Sequence, residues 1–160
     1  MSSARGELIA LAVDRLAGLD VPSGELVAAG VRAVVEGLDS PSLPELAGSD
    51  HRDAATLFTR VVDELDLELP ADAETARWQL LGECLGSMVR GDVSFGESTA
   101  AFHDLDHRLG RPEVLTELRH WIAMLTVWIP TDVTPVSFCE EQIRQQARQL
   151  LAGSWPPITR

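Results

Sequence analysis

Lysine, asparagine and tyrosine are missing from this 160-residue sequence, so its 13 basic side chains are all arginines. The codons of the three missing residues are AT-rich, while Ala, Gly, Arg and Leu abound, which marks a GC-rich genome rather than a chemistry. Cysteine occurs only twice, with no CxxC and no Cys/His pair at metal-ligand spacing, so neither a disulfide framework nor a zinc motif is expected. Long apolar runs are lacking too. The longest uncharged stretch, Trp121 to Thr131, falls well short of the ~20 residues a membrane-spanning helix needs. The opening Met1-Ser2-Ser3-Ala4-Arg5-Gly6-Glu7 has no basic-then-apolar order of a secretory signal. These absences together lead us to expect a cytoplasmic protein with reduced cysteines. No glycine-rich phosphate loop and no G-x-S-x-G elbow occurs, so nucleotide chemistry is unsupported and no cofactor is expected.

Positive charge is scarce against 25 acidic residues, giving a formal net charge of −12. Phosphate-backbone binding needs clustered cations to displace counterions, so nucleic acid and anionic membrane surfaces are poor partners. A basic protein partner is compatible with this charge.

What the sequence does contain is helical periodicity nearly everywhere, with no lasting strand-type alternation. The expected fold is all-α, a single compact bundle of about seven or eight helices over residues 1–153, followed by a short tail, 154–160. A first helix covers Arg5 to Ala17. A second, capped by Ser23, carries Leu26, Val27, Val31, Val34, Val35 and Leu38 inward. Ser40-Pro41 reads as a cap with proline in the first turn of a short helix ending near Gly48. A fourth helix spans Arg52 to Leu67, and Asp72 caps a fifth that runs to Arg90. Ser94 and Glu97, at capping-box spacing, open a sixth to Leu109. The seventh, from Pro112 to Ile129, has so wide an apolar stripe that it is expected to be the most enclosed. Thr134-Pro135 restarts the chain into a last helix that ends at Gly153. In the tail, two prolines forbid further helix, leaving Trp155 either frayed or docked.

The chemically suggestive string is His103-Asp104-Leu105-Asp106-His107. Two histidines four apart share a helix face, and the acid after the first imitates the zinc-protease pattern with Asp in place of Glu. The wheel turns both histidines toward solvent, opposite Phe102 and Leu105, where a catalytic metal would still need a third ligand and a dry cavity. A metal-dependent, hydrolase-like site on His103 and His107, assisted by Asp104 or Asp106, is therefore the alternative reading. Cys84 and Cys139 align with apolar stripes and read as small core residues. The paired carboxylates Glu140-Glu141, Asp63-Glu64 and Asp104 with Asp106 fall on polar faces, without the burial that would split their pKa values.

Trp78 and Trp121 fall toward the core, whereas Trp128 at a helix corner and Trp155 in the tail are candidate anchors for a partner, since tryptophan is enriched at binding hot spots. The leading functional expectation is thus a non-catalytic interaction protein, of accessory, inhibitor or immunity-like type, with an acidic surface for a basic protein.

The stretch Gly37-Leu38-Asp39-Ser40-Pro41-Ser42-Leu43-Pro44-Glu45-Leu46-Ala47-Gly48, then Ala76-Arg77-Trp78-Gln79-Leu80-Leu81 and Cys139-Glu140-Glu141-Gln142-Ile143-Arg144, resembles a group of small all-helical proteins of high-GC actinobacteria. The resemblance rests on caps and core positions. It implies fold and source, and no activity.

Overall fold

A computed structural model describes residues 3–128 and 135–157. Among the described residues the chain is all-α, with eight α-helices, one 3-10 turn and no strand. The helices are α1 (Ala4–Leu16), α2 (Ser23–Glu36), α3 (Leu43–Ala47), α4 (Ala54–Glu64), α5 (Ala73–Arg90), α6 (Phe95–Arg108), α7 (Thr116–Thr126) and α8 (Val136–Ala152), with the 3-10 turn at Glu113–Leu115. The chain divides into two compact units, Met1–Ala76 and Arg77–Arg160. None of these helices is long and apolar enough to cross a membrane.

In the first unit, α1 begins where the Ser3 hydroxyl accepts from Gly6 N at 3.0 Å. Its core draws Leu8 and Ala12 from α1, Leu26, Ala29 and Ala33 from α2, Leu43 and Leu46 from α3, and Phe58 and Val61 from α4. The α2–α3 approach depends on Gly30, because a Cβ there would lie 2.9 Å from Leu46 Cγ. That approach turns the small residues of α2 inward. Contrary to the expected inward stripe, Val31, Val34 and Val35 are exposed, Val35 at 82%. Ser23 is the first helical residue of α2 and Pro22 takes the cap position.

The Ser40-Pro41 start is also displaced, to Ser42 and Pro44 at the head of α3. The reason lies in α4, whose Glu64 accepts from Ser40 Oγ at 2.5 Å, Ser42 N at 2.8 Å and Ser42 Oγ at 2.7 Å. A side chain from a neighbouring helix thus does the capping. That same Glu64 ends α4; Leu65 caps it and Asp66 turns left-handed at φ 49°, so the helix stops short of Leu67.

In the second unit, Asp72 caps α5 as the sequence indicates, accepting from Thr75 N at 2.7 Å. The core joins Leu81, Leu85 and Met88 of α5 to Phe102 and Leu105 of α6, Leu118 and Ile122 of α7, and Ile143 and Ala147 of α8. The seventh helix is shorter than expected and is not the most enclosed: only Leu118 and Ile122 are buried within α7, while Val127 just beyond it is 73% exposed. A 3-10 turn takes its first residues, after Pro112. The expected corner from Ile129 to Thr134 lies outside the described residues.

Candidate functional site

The sixth helix opens at Ser94, whose hydroxyl accepts from Glu97 N at 3.3 Å, and its inward face is set by Phe102 and Leu105. His103 and His107 fall on the opposite, exposed side, as their spacing from those residues requires. Asp104, also exposed, accepts from Arg108 Nε at 3.1 and 3.0 Å.

Asp106 departs from the sequence reading. It lies one helical turn beyond Phe102 and is 3% exposed. A buried carboxylate needs a cation and hydrogen bonds to tolerate desolvation. Arg119 of α7 supplies both, donating through Nε at 2.8 Å and Nη2 at 2.9 Å, and Nη2 also reaches Pro112 O at 3.1 Å. The Asp106 hydrogen bond raises the Arg119 pKa above its ordinary value. The bidentate pair fixes α6, α7 and the connection between them in one arrangement. The phase of Asp106 relative to Phe102 was the available signal: a carboxylate on a buried stripe implies a partner elsewhere in the sequence.

Between these elements the chain makes a tight turn. Gly110 has φ 79° and Arg111 φ 54°, with Gly110 N donating to His107 O at 3.0 Å and Arg111 N to Asp106 O at 2.8 Å. Left-handed backbone suits glycine, and for arginine it costs about 1–2 kcal/mol. An open cavity of about 380 Å³ results, lined by His103, Asp106, His107, Arg111, Arg119 and Ala123. Asp106 and Arg119 cancel, so Arg111 sets the sign of the cavity, with the two imidazoles beside it as hydrogen-bond donors. It is a cationic recess in a chain of net charge −12.

The metal reading gains little from this geometry. Among the described residues no group of three or more His, Cys, Asp or Glu is arranged to hold a metal. Asp106 is committed to Arg119 and Asp104 to Arg108.

Of the two tryptophan candidates, Trp155 is half-buried against α5, its Nε1 donating to Trp78 O at 2.8 Å and its ring edge-on to Trp78 with centroids 5.7 Å apart. The tail is therefore docked by Trp155, the second of the two outcomes its sequence allowed. Trp128 is half-buried beside the segment that is not described. Cys139 is buried, and Cys84 is half-buried with Sγ 3.3 Å from Ser98 O. Burial pushes the Cys84 thiol up to about 11, which removes it from thiolate chemistry near neutral pH.

The second feature with functional potential is the exposed face of α2. Val31, Val34 and Val35 are preceded on the helix by the half-buried Val27 and followed, just past its end, by the half-buried Leu38. Helical phase places Glu25, Arg32 and Glu36 together on one rim of this face. Arg32 is paired with Glu7 through Nε at 2.8 Å and Nη2 at 2.5 Å, and Glu36 accepts from Ala4 N at 2.7 Å.

No family model, curated protein or solved structure matches the chain.

Proposed function

We propose that this chain is a non-catalytic protein-interaction factor whose first unit presents the valine face of α2 to a basic amphipathic segment of a partner protein. The observation that carries the reading is the exposure of Val31, Val34 and Val35 on one helix. An apolar stripe rimmed by polar groups is the form that helix-in-groove and helix-on-helix partners recognise. Charge selects the kind of partner. Residues 1–76 hold 5 arginines and 15 acidic residues, net −10, whereas residues 77–160 hold 8 arginines and 10 acidic residues, net −2. With Arg32 paired to Glu7, the rim of the valine face is dominated by carboxylates. Such a field steers cationic partners and penalises anionic ones, while the valines supply the apolar contact.

The test uses a fluorescent amphipathic peptide with leucines on one helical face and lysines on the other, read by anisotropy against the whole protein. Binding is expected to weaken at least tenfold between 50 and 500 mM salt, as screening shortens the reach of surface charge. Val35→Asp is expected to weaken it about tenfold, or about 1.4 kcal/mol, without changing the helical circular dichroism. A peptide with glutamates in place of lysines should not bind. Binding that is indifferent to Val35→Asp would overturn the site. Concentration-dependent dimerisation abolished by Val35→Asp would instead assign the face to a second copy of this chain.

A further inference from the structure

We propose that the cavity between α6 and α7 binds the phosphoryl group of a small organic phosphate. Its lining is cationic in excess by one arginine: Arg119 is balanced by Asp106, while Arg111 has no lining carboxylate left to balance it, and His103 and His107 add imidazole donors. These five are the charged and titratable groups that α6, the connecting turn and α7 contribute to the cavity. Each can donate hydrogen bonds to an anionic oxygen except Asp106, whose two oxygens are already occupied by Arg119. The donors of Arg119 are only partly used, since its bonds to Asp106 and Pro112 involve Nε and Nη2. Arginine favours phosphate oxygens through charge-assisted bonds, and an imidazole N–H donates to them as well.

The C-terminal end of a helix ordinarily repels an anion through its open carbonyls. Here the carbonyls of two lining residues, Asp106 O and His107 O, are taken by Arg111 N and Gly110 N. The bonds that place Arg111 in left-handed backbone thus also blunt the negative end of α6. Volume sets the ligand's size. At about 380 Å³ the space lies within the range of small-molecule sites rather than of single ions, and Ala123 gives it an apolar wall. A phosphomonoester with a compact apolar or aromatic body fits both features.

Arg111 gives a clean test, because glycine at φ 54° is relaxed and Arg111→Gly removes the cation while preserving the turn. Titration calorimetry of the whole protein would compare phenyl phosphate, inorganic phosphate, benzoate and benzyl alcohol. Phenyl phosphate is expected to bind at least tenfold more tightly than each of the others. Arg111→Gly should weaken it at least tenfold while leaving the melting temperature equal to or above that of the unaltered protein, and the double variant His103→Gln, His107→Gln should weaken it several-fold. Benzyl alcohol binding as well as phenyl phosphate, or affinity unchanged in Arg111→Gly, would overturn the proposal. Inorganic phosphate binding as tightly as the ester would overturn the organic ligand.

Discussion

Glu64 shows how one carboxylate can organise two helices. Its oxygens take hydrogen bonds from Ser40 Oγ, Ser42 N and Ser42 Oγ, and those bonds, led by that of Ser40, lower its pKa below the usual value. A group depressed in the folded state stabilises fully above its unfolded value and loses that contribution as pH falls through the folded one. The first unit is therefore expected to lose stability as pH drops below about 4.5, the ordinary value for glutamate. Glu64→Gln should lower stability at pH 7 and flatten the acid limb relative to the unaltered protein. Urea midpoints followed by circular dichroism from pH 3 to 7 would measure both; a slope unchanged by the substitution would remove Glu64 from this role. Nothing in local sequence announces this arrangement, since Ser40-Pro41 is a sound helix start by its own chemistry. The competing acceptor arrives from more than twenty residues away.

At the scale of elements, helix existence was legible while helix faces were only partly so. Asp72 and Ser94 sit where caps were expected because their hydrogen bonds are local, to Thr75 N and Glu97 N. The inward face of α2 differs from the one hydropathy indicates because both sides of that helix are apolar. Hydropathy favours the valines, but close approach to Leu46 requires Gly30, and Ala29 and Ala33 are buried on the same side. Packing distance decided it, and distance is not written in a hydropathy pattern. Gly82 poses the same problem on α5, where a Cβ would come 2.9 Å from Trp155 Nε1 and 3.1 Å from its Cε2. Gly82→Ala would gain about 1 kcal/mol of helix propensity. Against that, displacing the indole loses a hydrogen bond to Trp78 O, about 0.5–1.5 kcal/mol, and an edge-on aromatic contact of similar size. The net expectation is destabilisation of about 1 kcal/mol with red-shifted tryptophan emission. In a Trp155→Ala background the same substitution should become stabilising. A sign that does not reverse would mean that Trp155 is not what holds Gly82 in place.

Over the whole molecule, most of the buried apolar side chains among the described residues gather into two clusters that share no member, one from Ala4 to Leu67 and one from Trp78 to Ala147. The sequence, lacking any linker-like stretch, suggested one domain. The four tryptophans provide the means to decide, because all of them, at 78, 121, 128 and 155, lie beyond Ala76. Intrinsic tryptophan emission therefore reports the second unit alone, while circular dichroism reports helices of both. A core of about 70–80 residues seldom supplies more than ~3–5 kcal/mol. Phe58, fully enclosed in the first core, should cost about 3–5 kcal/mol on truncation to alanine, enough to unfold that unit in little or no denaturant. Disjoint cores predict that Phe58→Ala will lower the helical signal already at low urea, while the tryptophan-reported midpoint stays where it is in the unaltered protein. Phe102→Ala, in the second core, should do the reverse, moving the emission midpoint and sparing part of the helical signal. If both probes shift together in both variants, the two cores unfold as one cooperative domain.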